Sequence, residues 1–375
     1  MTVRGNLYRG FESLLFRQKK INWSDFMSVV IITGSSGLVG SEAVSFFCKK
    51  GFDVVGIDNN LRNFFFGKAG STLNIKKNLL KNNKNFSNYN IDIRNYQGLE
   101  KIFIKYKKNI ALLIHCAAQP SHDYGKNFPK LDFNINAAGT LNMLELTKKY
   151  CSSSPFIFMS TNKVYGDNPN KLKLIETNKR WELKKNDKLF NGIDEKFSID
   201  NCTHSFFGVS KTYADLIVQE YGKNIGLKTV SFRGGCITGP NHRGAKLHGF
   251  LSYLVKSSLS KKRYSLIGYK GKQVRDNIHS FDLVNCFWEF YKKPKYGEVY
   301  NIGGGRFSNC SIIEALDLVE KISNIKIQKK IIKENRIGDH IWYISNTSKF
   351  KRDYPKWKQK FDTKRIIEEL INSHQ

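Results

Sequence analysis

A glycine-rich turn near the start of the chain constrains the fold more than any other feature. Residues 28–33 are rich in β-branched side chains, which predicts a buried parallel strand, and they lead directly into the glycines of segment 34–40. A helical pattern follows as far as Lys50. Glycine in such a turn lets backbone approach a pyrophosphate closely, and the helix N-terminus offers N–H groups to the phosphates. The segment therefore predicts a dinucleotide-binding site.

An acidic residue after the next strand indicates which dinucleotide binds. Residues 53–57 predict a second strand, and Asp58 follows it. An acid there accepts the ribose hydroxyls of NAD and repels the 2′-phosphate of NADP, although the nearby Arg62 is a hint towards NADP. We predict NAD as the cofactor. The residues of this first unit that we expect to contact it are Gly34, Ser36, Gly37, Leu38, Val39, Gly40, Asp58 and Asn59.

Strand and helix patterns continue to alternate along the first two thirds of the chain. Strand patterns occur at 87–91, 110–114, 155–159 and 228–232, and helical patterns at 96–106, 136–150 and 207–221. This alternation predicts an α/β fold, a doubly wound parallel Rossmann sheet. The residues next to these strand ends that we expect to contact the cofactor are Asp92, Ile93, Ala117, Ala118, Gln119 and Gly234. From about Thr238 the pattern becomes irregular and basic-aromatic, which predicts a smaller C-terminal substrate-binding lobe.

The chain divides into three parts on these patterns. We assign residues 27–237 to the NAD-binding domain, with an insertion at 170–203 that we expect to cover the site. Residues 238–375 are expected to form mainly the substrate lobe, with some return to the first domain. Residues 1–26 have no clear hydrophobic period and no apolar core of signal-peptide length. Because residues 10–13 match what the T-arm of a tRNA gene spells in one reading frame, we expect translation to start at Met27.

The net charge of +30 comes from 62 Lys and Arg against 32 Asp and Glu. The lysines recur as short pairs over nearly the whole length, which favours a solvated basic surface over a nucleic-acid site. Such a surface still attracts anionic small molecules. No run approaches the roughly 20 apolar residues of a membrane helix, so we expect no membrane partner. Seven cysteines without a CxxC pair are typical of free thiols in the cytoplasm, and we expect no metal.

Several motifs together resemble the extended short-chain dehydrogenase/reductase family. They are the TGxxGxxG spacing of 33–40, Ser160-Thr161 at a strand end, and Lys211 after a serine. Segments 160–167, 271–276 and 301–304 are most similar to its NAD-dependent nucleotide-sugar epimerases of the CDP-paratose (CDP-tyvelose) 2-epimerase type. The resemblance runs from about Ser28 into the C-terminal region. It implies that tightly held NAD removes a hydride from a sugar carbon and returns it to the opposite face.

The resemblance also implies roles for individual residues. Thr161, Lys163 and Lys211 are the expected catalytic residues, and Ser160 and Lys211 would also contact NAD. The expected substrate-binding residues are Asn162, Arg243, His248, Arg275, Arg336 and Asp339. Related sugar 4,6-dehydratases carry an Asp-Glu pair where this chain has Asn162 and Lys163, so elimination of water is disfavoured. The helices near 136–150 and 207–221 are expected to pair between subunits of a homodimer.

One position departs from the family pattern. Family members place a catalytic tyrosine four residues before the lysine, and this chain has Phe207 there. A phenyl ring cannot exchange a proton, so three accounts remain open. The chain is a noncatalytic binding protein, or its chemistry differs, or another group carries the proton. The candidate groups are Thr161, Lys163, Tyr165, His204 and Lys211.

The leading interpretation is epimerisation of a nucleotide-linked sugar, and the resemblance alone implies that it acts at C2 of a CDP-deoxyhexose in the synthesis of a surface polysaccharide such as lipopolysaccharide. The alternatives are an NAD-dependent oxidoreductase or epimerase acting at another carbon, and a noncatalytic protein that binds NAD or a nucleotide sugar. The nucleotide sugar is the expected partner, with CDP-sugar favoured over other nucleotides.

Overall fold

Parallel strands form the centre of the molecule in the computed structural model, which describes residues 28–242, 249–335 and 338–373. The expected extension at 1–26 lies outside these residues. The described strands are β1 (Val29–Thr33), β2 (Asp53–Ile57), β3 (Phe86–Tyr89), β4 (Ile110–His115), β5 (Phe156–Thr161), β6 (Ile175–Glu176), β7 (Trp181–Glu182), β8 (Thr229–Gly234), β9 (Cys236–Thr238), β10 (Tyr264–Ile267), β11 (Val274–His279), β12 (Glu298–Ile302), β13 (Asn309–Ser311), β14 (Lys329–Ile332) and β15 (Trp342–Tyr343).

The α-helices lie between these strands along the chain. They are α1 (Leu38–Lys49), α2 (Arg62–Phe66), α3 (Leu73–Asn82), α4 (Tyr96–Tyr106), α5 (His122–Asn127), α6 (Pro129–Phe133), α7 (Gly139–Tyr150), α8 (Phe206–Lys223), α9 (Phe250–Leu259), α10 (Ser280–Lys292), α11 (Ile312–Ser323), α12 (Ser348–Asp353) and α13 (Thr363–Asn372). A π-helical turn, Asn134–Ala138, joins α6 to α7.

The central sheet has seven strands in the order β12-β8-β5-β4-β1-β2-β3, all of them parallel. The predicted doubly wound parallel sheet is therefore confirmed. The chain moves outward from β1 in one direction and later from β4 in the other. In such sheets ligands bind beyond the carboxyl ends of the strands, where the strand order reverses.

Helices cover both faces of the sheet, which explains why its inner strands are almost entirely apolar. All five residues of β1 are buried, and the first four alternate between two hydrophobic cores. Val30 and Ile32 join one hydrophobic core, which includes residues of α1 and α10. Val29 and Ile31 join the other core, which includes residues of α4, α7 and α8.

The C-terminal lobe is built around β11. This strand pairs with β13, β15 and β9, and a separate parallel pair is formed by β10 and β14. Helices α9, α11 and α13 supply apolar residues to a third core in this lobe. The chain also returns to the main domain, since β12 is the edge strand of the central sheet and α10 packs in the first core.

The inserted segment 170–203 packs against the C-terminal lobe. Its hairpin of β6 and β7 carries Arg180, whose guanidinium pairs with Glu314 at 2.8 Å and with Glu182 at 3.0 Å. Glu182 in turn pairs with Arg306 at 2.8 Å, and Ile193 forms a β-bridge with Ser345. Ion pairs and a β-bridge thus hold the segment against the lobe.

We predict that removal of the Asp215 carboxylate destabilises the fold strongly. Arg233 Nη2 lies 2.8 Å from Asp215 Oδ1, and both side chains are buried, with 5% and 0% exposure respectively. Breaking a buried ion pair leaves a charge without its partner, which costs about 3–5 kcal/mol. Asp215→Ala should therefore lower the unfolding free energy in urea by about 3 kcal/mol or more.

The matched control is Glu368→Ala, which removes an exposed carboxylate from its pair with Lys364. Exposed pairs contribute little, so this variant should keep the wild-type midpoint. Equal midpoints for the two variants would contradict the structural role of Asp215.

Candidate functional site

A cavity of about 420 Å³ lies beyond the carboxyl ends of the central strands. Its wall is formed by the turn after β1, the ends of β2, β4, β5 and β8, and parts of the C-terminal lobe. The predicted site residues that line it are Gly34, Gly37, Leu38, Val39, Gly40, Asp58, Asn59, Asp92, Ile93, Ala117, Ala118, Ser160, Thr161, Asn162, Lys163, Phe207, Gly234 and Asp339. The structure thus brings most of the predicted residues to one place.

The glycine turn needs its glycines for two different reasons. Gly34 has φ +66°, and a Cβ there would lie 2.8 Å from the backbone nitrogen of Ala117. A Cβ at Gly40 would overlap the carbonyl of Gly34. Gly37, the N-cap residue of α1, offers no side-chain acceptor to the N–H groups of the first turn, and Leu38 and Val39 of that turn line the cavity. This arrangement suits the phosphates of a dinucleotide.

Hydrogen bonds fix the side chains at the end of the cavity that contains Asp58 and Asp92. Asp58 accepts from the backbone N–H of Ser36 at 2.9 Å and of Asn60 at 2.8 Å. Asp92 accepts from the side chain of Asn59 at 2.9 Å. Burial alone would raise the pKa of Asp92, but Arg94 and Asn59 outweigh it and hold the pKa below the usual value. This end therefore presents the carboxylate of Asp58, which suits ribose hydroxyls, beside that of Asp92, which is paired with Arg94.

The opposite end of the cavity follows β5. Thr161 Oγ1 accepts from the backbone N–H of Lys163 at 3.2 Å, which fixes the turn that begins at Asn162. Lys163 Nζ donates to the carbonyl of Gly338 at 2.7 Å. Asp339 follows in the same loop, and its carboxylate lies 3.9 Å from Arg275 Nη2. Polar groups from the sheet and the lobe thus meet at this end.

Lys211 lies behind this wall and does not line the cavity. Its Nζ donates to the carbonyl of Met159 at 2.8 Å and lies 4.1 Å from the centre of the Phe158 ring. Burial lowers the pKa of Lys211 to about 8. The buried ammonium is therefore held one layer from the cavity, because Met159 itself lines it.

Phe207 makes the position of the expected phenol apolar. Its ring is buried, lines the cavity, and contacts the imidazole of His122 edge-on, with ring centres 5.1 Å apart. His122 also lines the cavity, and our sequence prediction did not include it. His122 could have been found from the sequence by its position just after the small residues that follow β4.

Other predicted residues lie away from the cavity wall or outside the described residues. Gln119 is buried and donates to Asp132 and to the carbonyl of Ser121. Ser36 contributes its backbone N–H to Asp58. Tyr165, a candidate proton carrier, is buried against Arg233 and Asn301, while His204 bonds to the carbonyl of Val164. Arg243, His248 and Arg336 lie outside the described residues.

Further residues complete the cavity wall. The polar ones are contributed by the segment before α3, by the segments that follow β4 and β8, and by the lobe, and they include Thr72, Cys116, His122, Cys236, Asn241, His242 and Asn277. Enclosure raises the pKa of Cys116 to about 12 and that of Cys236 to about 11. Burial lowers the pKa of Arg62, which also lines the cavity, to about 10.

Within residues 28–242, 249–335 and 338–373, no cluster of three or more His, Cys, Asp or Glu side chains is arranged to hold a metal ion. Across the same ranges, every helix is too short or too polar to span a membrane. Segment 170–203, expected to cover the site, contributes no residue to the cavity wall.

The model of the NAD dependent epimerase/dehydratase family matches residues 30–303. The chain belongs to this family. It is 32% identical over 306 residues to CDP-paratose 2-epimerase of Salmonella typhi, covering 80% of this chain and 86% of that protein. It is also 26% identical over 309 residues to UDP-glucuronate 4-epimerase of Thermodesulfobacterium geofontis, covering 82% and 84% of the two chains.

A solved structure of the same fold is that of UDP-glucose 4-epimerase from Thermus thermophilus in complex with NAD. It matches with a TM-score of 0.73 at 22% identity and covers 92% of this chain and 98% of that one. The resemblance to the nucleotide-sugar epimerases is thereby confirmed, and so is NAD as the cofactor. Two features of the site fit NAD. They are the glycine turn, which leaves no room for a Cβ, and the carboxylate of Asp58.

We predict that Asp58→Ala weakens NAD binding and narrows the preference for NAD over NADP. The substitution removes the acceptor for the ribose hydroxyls and the negative charge that repels a 2′-phosphate, while Arg62 remains in the cavity wall. The dissociation constants for both dinucleotides can be measured by calorimetry on nucleotide-free protein. The ratio of the NADP constant to the NAD constant should fall by tenfold or more, which corresponds to a change of about 1.4 kcal/mol in relative binding free energy.

Asp53→Ala is the matched control, because Asp53 is an exposed acid at the other end of the same strand, β2. This variant should keep the wild-type ratio. A ratio unchanged in Asp58→Ala would contradict the predicted role.

Proposed function

We propose that the chain epimerises a nucleotide-linked sugar, at C2 of a CDP-deoxyhexose, by transient oxidation to a keto sugar. The observation that carries this proposal is that one continuous cavity joins the glycine turn to the turn after β5. A dinucleotide lying along the strand ends would place its reactive ring next to Thr161, where a sugar can enter from the lobe. Bound NAD supplies the hydride acceptor and donor for such chemistry.

Elimination of water is disfavoured by the residues at that turn. Asn162 and Lys163 both line the cavity, and neither can act as a carboxylic acid or a carboxylate. Lys163 is moreover bonded to the carbonyl of Gly338. An epimerase needs only hydride and proton transfer, which the remaining groups can serve. The 32% identity to CDP-paratose 2-epimerase supports the CDP-sugar as substrate and C2 as the reacting carbon.

We would test the proposal first on protein expressed from Met27. Near-stoichiometric NAD released on denaturation is expected, because an epimerase recycles its cofactor. The protein should then convert CDP-paratose to its C2 epimer, observed by NMR, without net change in bound NAD. A noncatalytic binding protein, which Phe207 favours as the second candidate, would bind CDP-paratose and leave it unchanged.

We predict that Lys211→Met abolishes turnover while leaving the fold intact. We propose that Lys211, whose ammonium lies one layer behind the cavity wall, reaches past Met159 to hold the nicotinamide ribose, a role that needs a positioned ammonium. Its lowered pKa reflects the burial of a charge, so a similarly shaped apolar side chain should keep the unfolding temperature within a few degrees of wild type. The expected loss of turnover is about 100-fold or more.

Lys223→Met is the control for this variant, since Lys223 is an exposed lysine in the last turn of the same helix. It should turn over substrate at the wild-type rate. Full activity of folded Lys211→Met would remove the proposed role.

We also propose that the working form is a homodimer assembled through α8. Four large apolar side chains, at spacings of three and four residues, are exposed along this helix: Phe206, Val209, Tyr213 and Leu216. Phe133 is exposed beside them, with its ring 5.9 Å from that of Tyr213. A continuous exposed apolar stripe is typical of a surface that a partner covers. A second copy would bury both stripes against each other.

We predict that Leu216→Glu produces a monomer, because a carboxylate within the stripe would have to be buried in the dimer. Sedimentation velocity should show half the wild-type mass. Ile104→Glu, at an exposed apolar residue of α4, should leave the mass unchanged. A wild-type monomer at micromolar concentration would refute the dimer.

A further inference from the structure

Oxidation of a sugar alcohol requires a group that takes the hydroxyl proton, and Phe207 cannot do so. Most polar groups at this end of the cavity are poorly suited to the task. The thiols of Cys116 and Cys236 have raised pKa values, and the ammonium of Lys163 donates to the carbonyl of Gly338. Thr161 has a hydroxyl, which is a weak base. An imidazole is the side chain best matched to proton transfer near neutral pH.

His122 supplies an imidazole next to the position where the phenol is missing. Its ring lies edge-on to Phe207 at 5.1 Å between centres, and both side chains line the cavity. The placement follows from close packing of α5 on α8. A Cβ at Gly125 would lie 3.0 Å from the backbone nitrogen of Phe207, so the helices can approach this closely only with glycine there.

The orientation of the ring is set by Ser205, the N-cap residue of α8. His122 Nδ1 lies 2.7 Å from Ser205 Oγ. The same oxygen accepts the backbone N–H of Gly208 at 3.1 Å. A hydroxyl oxygen has a second lone pair, which can accept Nδ1–H of the imidazole. When Nδ1–H donates to Ser205 Oγ, Nε2 is the basic nitrogen of the ring.

We propose that His122 Nε2, in place of a tyrosine phenol, exchanges the hydroxyl proton of the sugar. The inference rests on the proposed epimerase function. In the first half of the reaction the O–H proton passes to Nε2, the hydride on the same carbon leaves to oxidised nicotinamide, and a C=O bond forms. In the second half the hydride returns to the other face of the carbon, and Nε2 returns its proton to the oxygen. The sugar is thus oxidised and then reduced, and the protein ends unchanged.

The test compares His122→Gln with the wild type, using CDP-paratose as the probe. Removal of a general base costs about 10²–10⁴-fold, so kcat should fall at least about 100-fold while KM and bound NAD change little. Lys126→Gln introduces the same amide at an exposed residue of the same helix, α5, that does not line the cavity. That control should keep the wild-type kcat.

A second variant tests proton transfer separately from packing. Residues 207 and 211 are one helical turn apart, so Phe207→Tyr places a phenol on the same side of α8 as Lys211. The double variant with Phe207→Tyr and His122→Gln should have a kcat at least tenfold higher than that of His122→Gln alone. Imidazole added to the solution should likewise raise the kcat of His122→Gly. A loss of activity that neither treatment reverses would overturn the proton-transfer role.

The outcomes distinguish the two proposals. Wild-type protein that holds NAD yet leaves CDP-paratose unchanged would overturn the proposed function and the role of His122 with it. Wild-type turnover that persists in His122→Gln at more than a third of its rate would overturn only the role of His122.

Discussion

The buried carboxylate of Asp215 is the interaction on which the arrangement of the site depends. It lies in α8, accepts from Ser160 at the end of β5 at 2.5 Å, and pairs with Arg233 at the end of β8. Arg233 also donates to the hydroxyl of Tyr165, which in turn bonds to Asn301 in β12. One charged group therefore fixes three neighbouring strand ends and the helix that carries both Phe207 and Lys211. In a low-dielectric interior such a network tolerates few alternative arrangements.

The features that the sequence predicted well are those with local causes. A β-branched strand, a turn that excludes Cβ atoms and an acid after the next strand are readable within 30 residues, and each lies where we expected it. The helix predicted for 207–221 differs from α8 by only one or two residues at each end. Helix 136–150 differs more, because its first turn is π-helical and joins α6.

What the sequence did not reveal depends on contacts between distant segments. The seventh strand of the sheet, β12, comes from beyond residue 290, and its pairing with β8 has no local signal. The same is true of His122, which becomes a neighbour of Phe207 only because α5 packs on α8. Lys211 shows the converse. The sequence shows its spacing from residue 207. The sequence does not show that Met159 lies between its ammonium and the cavity.

The protonation state of the two cysteines in the cavity wall affects how well the site resists chemical damage. A thiolate attacks electrophiles and is readily oxidised, whereas a neutral thiol is far less reactive. Because enclosure raises the pKa of both Cys116 and Cys236, these side chains remain thiols at cellular pH. A dinucleotide bound in this cavity would therefore meet neutral thiols, which add to an electron-poor ring far less readily than thiolates do. The site would also resist peroxide and alkylating agents, although two sulfur atoms lie in its wall.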